Sequence, residues 1–317
     1  MTASPRVLCV GEALMDRIER DGSAKEYVGG SLLNVARGIA QLGHDTTLAS
    51  WWGEDERGQQ LAKALAEGDV HVLPGTSGAD HTTVAYAHVD SEGRATYEFD
   101  LLWDLPEQAR TDTYDHLHTG SFAATVEPGG KKVLRLVKEA ALTGTVSYDP
   151  NIRPSVMGSP EQVRSRIEEI ISFCDIVKAS DEDISWLYPD RAVEDVMRSW
   201  LAMGPAMVIT TRGPWGAYAR LAGERDMLVI DPLNVELGDT VGAGDSFMAG
   251  LISALLDAGL AGSGQARRKL REAKWADVLS ALHRATVTSG LTVSKLGAFS
   301  PNRADVARVT DGHPELK

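Results

Sequence analysis

The stretch DTVGAGDSFMAG, Asp239–Gly250, sets Gly242 and Gly244 around Ala243 and follows them at once with Asp245, before an apolar helical pattern begins. Small residues let backbone N–H groups converge closely on one point. A helix start adds unpaired donors and the positive end of its dipole, so such a turn can hold an anion. An aspartate at the same place has two uses. It can cap the helix by accepting its free N–H groups. It can also take a proton from a hydroxyl attacking a phosphoryl group, while the turn stabilises the spreading negative charge. These uses conflict, because an ionised Asp245 beside an anion repels it unless a further charge compensates. A second glycine pair, Gly29–Gly30, stands directly before SLLNVARGIAQLG, with Asn34 on the first helical turn. Asn34 lies among Leu32, Leu33, Val35 and Ala36, where an amide is costly to bury without a partner. Its donors and acceptor suit sugar hydroxyls; a local cap is the alternative.

Other chemistries fail on spacing. A dinucleotide fingerprint needs a third glycine where Phe247 stands, and its place is early in the chain rather than late. There is no G-x-x-x-x-G-K-[ST] phosphate loop and no H-E-x-x-H or tight histidine cluster. A net charge of −13 argues against nucleic acid or an anionic membrane as main partner. Cys9 and Cys174 sit far apart in apolar runs with no C-x-x-C, and read as small core residues in a reducing compartment. The start lacks a basic segment followed by an apolar one, and no run approaches the ~20 apolar residues of a membrane span. A soluble, cytoplasmic protein is expected.

Elements that could position these residues alternate along the 317-residue chain, whose 43% hydrophobic and 24% charged content is ordinary for a globular protein. RVLCVG, TTLASWWG, HLHTG, GTVSYD, DIVKAS and AMVITT read as strands. Helices are expected over 31–43, closed by Gly43, and over 57–66, 131–141 and 161–173. This alternation implies an α/β architecture, a doubly wound, mainly parallel sheet flanked by helices. Two segments interrupt it, 16–28 and 81–101. The second alternates apolar and polar residues around DSEG, a hairpin signal. Such inserted material points to a small sheet projecting from the main body as a lid, or to a plain edge hairpin. AGSGQARRKLREAK, 261–274, is a local basic patch expected on an exposed helix face.

GGSLLNVARGIAQLG near the start and DTVGAGDSFMAGLI near the end together resemble the PfkB, or ribokinase-like, family of carbohydrate kinases. The resemblance runs over nearly the whole chain and implies one kinase domain over 1–317, with the lid inserted. It implies transfer of the γ-phosphoryl group of ATP, with Mg2+, to a sugar or nucleoside hydroxyl. By resemblance Asp245 is the general base, the amides of Gly242, Ala243 and Gly244 form the anion hole, and the charge of the base, bound near a triphosphate and Mg2+, is offset there. Asp16 in GEALMD, at the carboxyl end of the first predicted strand region, matches a residue that holds sugar hydroxyls. Gly29, Gly30 and Asn34 match the sugar-binding glycine-pair motif.

DPNIRP, Asp149–Pro154, resembles the segment of fructokinases and 2-keto-3-deoxygluconate kinases in which the arginine faces substrate and phosphate, so Arg153 is the candidate for charge stabilisation and Asn151 for orienting nearby groups. Without the family, DPN is a turn signal. The family's N-x-x-E motif, which organises Mg2+ through water, departs here to Ser180 and Asp183 in KASDEDI, with Glu182 an alternative. The same letters also describe a helix capped by Ser180. ITTRGPWGA resembles the turn beneath the nucleotide, making Thr211, Arg212, Gly213 and Gly216 candidates for phosphate or ribose contact. SGLTVSKLGAFSPN resembles the adenine-side wall, and some relatives carry a potassium-type monovalent cation site at the position of Asp239 and Val241. Fructose is the first-ranked substrate, then another ketose or keto-acid such as 2-keto-3-deoxygluconate, then ribose. Trp103 fits either an aromatic cover over a hexose or a core residue. Lid sheets of this family often pair into homodimers. A sugar-sensing protein without catalysis is the alternative of another class.

Overall fold

The computed structural model describes residues 4–20, 23–89 and 95–316. Its strands are β1 (Val7–Val10), β2 (Leu14–Arg20), β3 (Ser23–Gly29), β4 (Thr46–Ala49), β5 (His71–Val72), β6 (Val84–Val89), β7 (Ala95–Asp100), β8 (His116–Gly120), β9 (Thr145–Asp149), β10 (Ile176–Ser180), β11 (Met207–Thr211), β12 (Ala217–Leu221) and β13 (Leu228–Ile230). Its helices are α1 (Ser31–Gln41), α2 (Glu56–Glu67), α3 (Gly129–Thr143), α4 (Pro154–Met157), α5 (Pro160–Ile171), α6 (Asp181–Leu187), α7 (Val193–Met203), α8 (Ala243–Asp257), α9 (Gly264–Glu272), α10 (Trp275–Val293) and α11 (Arg303–Gly312).

The main sheet runs in the order β13-β12-β11-β10-β9-β8-β1-β4-β5. From β11 to β5 every pairing is parallel, and β12 and β13 return antiparallel at one edge. Each run read as a strand is buried on both faces, as a parallel sheet between helices requires. Alternation along β1 shows the two layers: Val7 and Cys9 pack with residues of α1, α2, α8 and α10, while Leu8 and Val10 pack with residues of α3, α5 and α7. Both thiols, Cys9 and Cys174, are buried and free. The parallel strands share one carboxyl edge, where Gly120 aligns with Asp149 and Ser180 with Thr211. Ligands of open α/β sheets bind at that edge.

The interrupting segments form a second sheet of order β3-β2-β6-β7. The DSEG turn of the expected hairpin lies outside the described residues, but β6 and β7 pair antiparallel as that reading requires. Glu26 on β3 accepts from Arg57 on α2 at 2.6 and 3.0 Å, and Asp55 accepts from the backbone and hydroxyl of Thr82. These bonds tie the small sheet to the main body.

Packing decides between the two readings of Trp103 and qualifies that of the basic patch. Trp103 is 4% exposed and donates Nε1–H to the Ala123 carbonyl at 2.9 Å, so it is a core residue rather than a cover over a ligand. The basic patch is not uniformly solvated: Arg267 turns inward to Asp175 at 2.7 Å, because that buried carboxylate needs a cation. Among the described residues no helix is long and apolar enough to cross a membrane.

Candidate active site

The glycine pair before α1 is explained by its neighbours. A Cβ on Gly29 would overlap the Asp16 carboxylate, and one on Gly30 would fall 2.6 Å from the Glu12 carbonyl oxygen. Gly30 also has φ +106, a conformation that favours glycine. The pair therefore lets the start of α1 press on the Glu12–Ala13 link between β1 and β2 while leaving space for the Asp16 side chain. Gly242 ends the other turn in the left-handed region, φ +75, immediately before α8. Of the three amides in that turn, the Ala243 N–H is directed to the Thr240 carbonyl at 3.2 Å. Gly242 and Gly244 are the donors without a backbone acceptor among the described residues.

Asp245 is the third residue of α8 and makes no cap: the helix start has no side-chain cap bond. Instead its carboxylate reaches across to α1, where Ser31 Oγ donates to Oδ1 at 2.7 Å and Asn34 Nδ2 donates to Oδ2 at 2.9 Å. The half-buried Asn34 thus has the partner that burial demands. The carboxylate is 9% exposed by residue, held by side chains 211 and 214 positions away in sequence.

Beside the turn lies a cation. A Cβ on Gly244 would come 2.9 Å from Lys178 Nζ. Lys178 on β10 and Asp149 at the end of β9 form a 2.6 Å ion pair, their side chains 5% and 2% exposed. Burial opposes the charge on Lys178, but the neighbouring carboxylates of Asp149, Asp183 and Asp245 outweigh it and hold the ammonium above its ordinary value. Burial lifts Asp149 to about 6, with Lys178 opposing.

The DPN turn follows, with Asn151 at φ +37 and its N–H on Asp149 Oδ1 at 3.2 Å. Arg153 is exposed and folds back to the carbonyls of Ile152 and Asn151 at 3.0 and 3.4 Å. Its charge acts on both Glu12 and Asp16. Burial nevertheless raises Asp16 to about 6 and Glu12 to about 8. Glu12 Oε1 accepts the Ser31 N–H at 3.2 Å, and Oε2 is buried without a partner.

A cavity of about 1010 Å3 opens along the carboxyl edge, lined among others by Arg153, Lys178, Glu182, Thr211, Gly213 and Gly244. Asn151, Ser180, Asp183, Gly216 and Ala243 also border it, as do Ser289, Gly290 and Val293 from the C-terminal segment. Arg212 does not; its guanidinium stacks on Tyr218 at 4.2 Å. Nor do Asp16, Gly29, Gly30, Asn34, Gly242 and Asp245, which lie where β2, α1 and the start of α8 meet. Gly216, at φ +76, has no room for a Cβ against the Ile230 carbonyl. Ser180 caps α6 and Asp183 completes a capping box, its Oδ2 accepting the Ser180 N–H at 2.8 Å and its Oδ1 the Ile152 N–H at 2.7 Å. Both Asp183 oxygens are thus engaged by backbone, and Glu182 is the exposed acid. Asp239 is likewise engaged, accepting the N–H groups of Val241 and Gly297 at 3.1 and 3.0 Å.

Sequence reasoning did not single out Ser31, Glu12, Asp149 or Lys178. Lys178 carried a signal: a charge inside the apolar run IVKAS is expensive to bury unless paired. The bond of Ser31 to Asp245 left none, since it depends on how α1 meets α8.

The model of the pfkB family of carbohydrate kinases matches residues 4–305. A fructokinase of Rhizobium leguminosarum bv. trifolii is 30% identical over 263 residues, covering 78% of this chain and 79% of that protein. The crystal structure of a fructokinase from Xylella fastidiosa with bound ATP superposes with TM-score 0.82 at 21% identity, covering 98% and 99% of the two chains. A fructokinase double mutant from Vibrio cholerae O395, bound to fructose, ADP and a potassium ion, gives TM-score 0.75 at 21% identity over 96% and 99%. The fold is ribokinase-like, and with the family model spanning nearly its whole length, the chain belongs to the pfkB family of carbohydrate kinases.

Proposed function

We propose that this protein is an ATP-dependent sugar kinase that phosphorylates a hydroxyl of fructose, with Asp245 as general base. The observation that carries the reading is the placement of the Asp245 carboxylate: one residue after Gly244, within the electrostatic reach of Lys178, and bonded to Ser31 and Asn34 of α1 rather than to its own helix start. Asp245 takes the proton of the attacking hydroxyl as that oxygen bonds to the γ-phosphorus. The bond from phosphorus to the β,γ-bridging oxygen breaks, and ADP leaves with the electron pair. The N–H groups of Gly242 and Gly244, with Ala243 shaping the turn, and the cations of Lys178 and Arg153 stabilise the charge on the phosphoryl oxygens. The adjacent ammonium resolves the repulsion between an ionised Asp245 and an anion.

Asp16, Gly29, Gly30, Asn34 and Asn151 form the sugar side. Thr211, Gly213 and Gly216 border the nucleotide, with Ser289, Gly290 and Val293 as the wall; Arg212, held on Tyr218, supports that turn from behind. Mg2+ fits here as an ion carried mainly on the phosphates. Among the described residues no three His, Cys, Asp or Glu side chains gather to hold a metal, and Mg2+ characteristically keeps waters and only one or two carboxylates. Glu182 would reach its waters, and Asp183, engaged by backbone, would act only through one. When bound, the ion neutralises phosphate charge. Asp239 and Val241 remain the position for a monovalent cation such as potassium. Exposed Ile18 and Tyr27 on the small sheet, at 40% and 50%, support its pairing with a second copy. Buried free thiols fit a cytoplasmic setting.

The names of the relatives and the DPNIRP segment favour fructose. A coupled assay of ADP release with ATP–Mg2+ and fructose, 2-keto-3-deoxygluconate and ribose tests this. Fructose should be turned over with the highest kcat/KM, and Asp245→Asn should remove ~10²–10⁴-fold of kcat as a lost general base does. Sugar binding without turnover of any of them would refute the kinase reading in favour of a sensor.

A further inference from the structure

We infer that Ser31 is a positioning residue for the base: its hydroxyl holds Asp245 Oδ1, leaving Oδ2 as the oxygen that takes the substrate proton. The inference rests on the reading of Asp245 given above. Both oxygens of Asp245 are engaged, but by groups of different kinds. Asn34 Nδ2 on Oδ2 belongs to a half-buried amide at the sugar side of the cleft, able to turn its donors to an incoming hydroxyl. Ser31 is buried and doubly anchored. Its N–H is taken by Glu12 Oε1 at 3.2 Å, and its hydroxyl by Asp245 Oδ1 at 2.7 Å. It makes no capping bond for α1, whose N-cap is Gly30. The hydroxyl therefore has no role in its own helix and is directed at α8.

The geometry divides the labour. A carboxylate free to rotate about its Cβ–Cγ bond would present its oxygens to the hydroxyl only part of the time. A short hydrogen bond to one oxygen from a side chain fixed at its backbone holds the plane. Misplacing a reacting group by about 1 Å costs ~10²-fold, and a hydrogen bond to a charged group, lost without replacement, corresponds to roughly 10- to 100-fold. Substrate binding displaces Asn34 from Oδ2 and leaves Ser31 in place. Ser31 thus acts on kcat, and Asn34 on sugar KM.

The test is steady-state kinetics on Ser31→Ala, Ser31→Thr, Asn34→Ala and Asp245→Asn, with thermal melts of each. Ser31→Ala is expected to lower kcat by about 10- to 100-fold with both KM values within about threefold. Ser31→Thr keeps the hydroxyl and should recover most of kcat. Asn34→Ala should show the opposite split, a raised sugar KM with a smaller change in kcat. Full kcat in Ser31→Ala, or a loss confined to sugar KM, would overturn the inference. If Ser31→Thr fails to fold, the kcat-against-KM split of Ser31→Ala decides alone. Substantial turnover by Asp245→Asn would instead remove the base reading beneath it, whereas an inactive Asp245→Asn beside a fully active Ser31→Ala would sink this inference only.

Discussion

Replacing Lys178 by methionine separates the ion pair that its ammonium makes from the catalytic role proposed for it. In the native protein it pairs with Asp149 at 2.6 Å, both side chains all but excluded from water. Methionine keeps the length and apolar stem and leaves Asp149 alone. Breaking a buried pair by removing one partner costs about 3–5 kcal/mol, whereas replacing both partners by neutral groups is often close to neutral. Asp149 already sits at about 6 because of burial, and loss of the cation pushes it further up. Its folded value then stands further above its unfolded value, so at pH 7 the variant holds a proton that the native pair has released. The deficit relative to the native chain is small below about 6 and grows as pH rises above it. Urea denaturation at pH 7 should show Lys178→Met less stable by about 3–5 kcal/mol, with the deficit smaller near pH 5. Lys178→Met with Asp149→Asn should regain most of that stability. Turnover should not return, since the cation beside Gly244 is missing in both, and loss of one such electrostatic contact costs ~10²–10³-fold in kcat. A single variant as stable as the native chain at pH 7, or a double variant that recovers kcat together with stability, would refute the reasoning.

Two further outcomes follow from burial. Trp103→Phe removes the bond to the Ala123 carbonyl and leaves that acceptor buried, so stability should fall by ~1–3 kcal/mol while sugar KM stays unchanged; a raised KM would restore Trp103 to the substrate side. Glu12, lifted from an ordinary 4.5 to about 8 by burial, keeps its proton in the fold where the unfolded chain loses it. Native stability should therefore fall as pH rises from about 4.5 to 8, and Glu12→Gln should flatten that slope in urea titrations; equal slopes in both proteins would contradict the assignment.

Elements that face one another at short range in the chain were legible from pattern. The apolar runs of the central strands, the stripe of α1 and the α/β alternation needed only the periods of strand and helix and the burial that each implies. The glycine turns were legible as close backbone approaches because glycine is required where a side chain would collide, as a Cβ on Gly29 would with Asp16. The edge pair β12 and β13 was not read, since short strands carry little periodic signal. Ser180 and Asp183 illustrate a genuine degeneracy: one set of letters describes both a metal-organising motif and a capping box, and the reciprocal side-chain-to-backbone bonds at 2.8 and 3.0 Å show the box formed.

Residue pattern alone was enough for the layer architecture, for strands in the inserted segments and for the acid at the late glycine turn. Only the tertiary structure decided that Asp245 spans to α1 instead of capping α8, that Lys178 supplies the adjacent positive charge, and that Trp103 belongs to the core. The physical reason is that local pattern records which face of an element is buried, whereas a hydrogen bond between residues more than two hundred positions apart depends on the angle and register at which two helices meet.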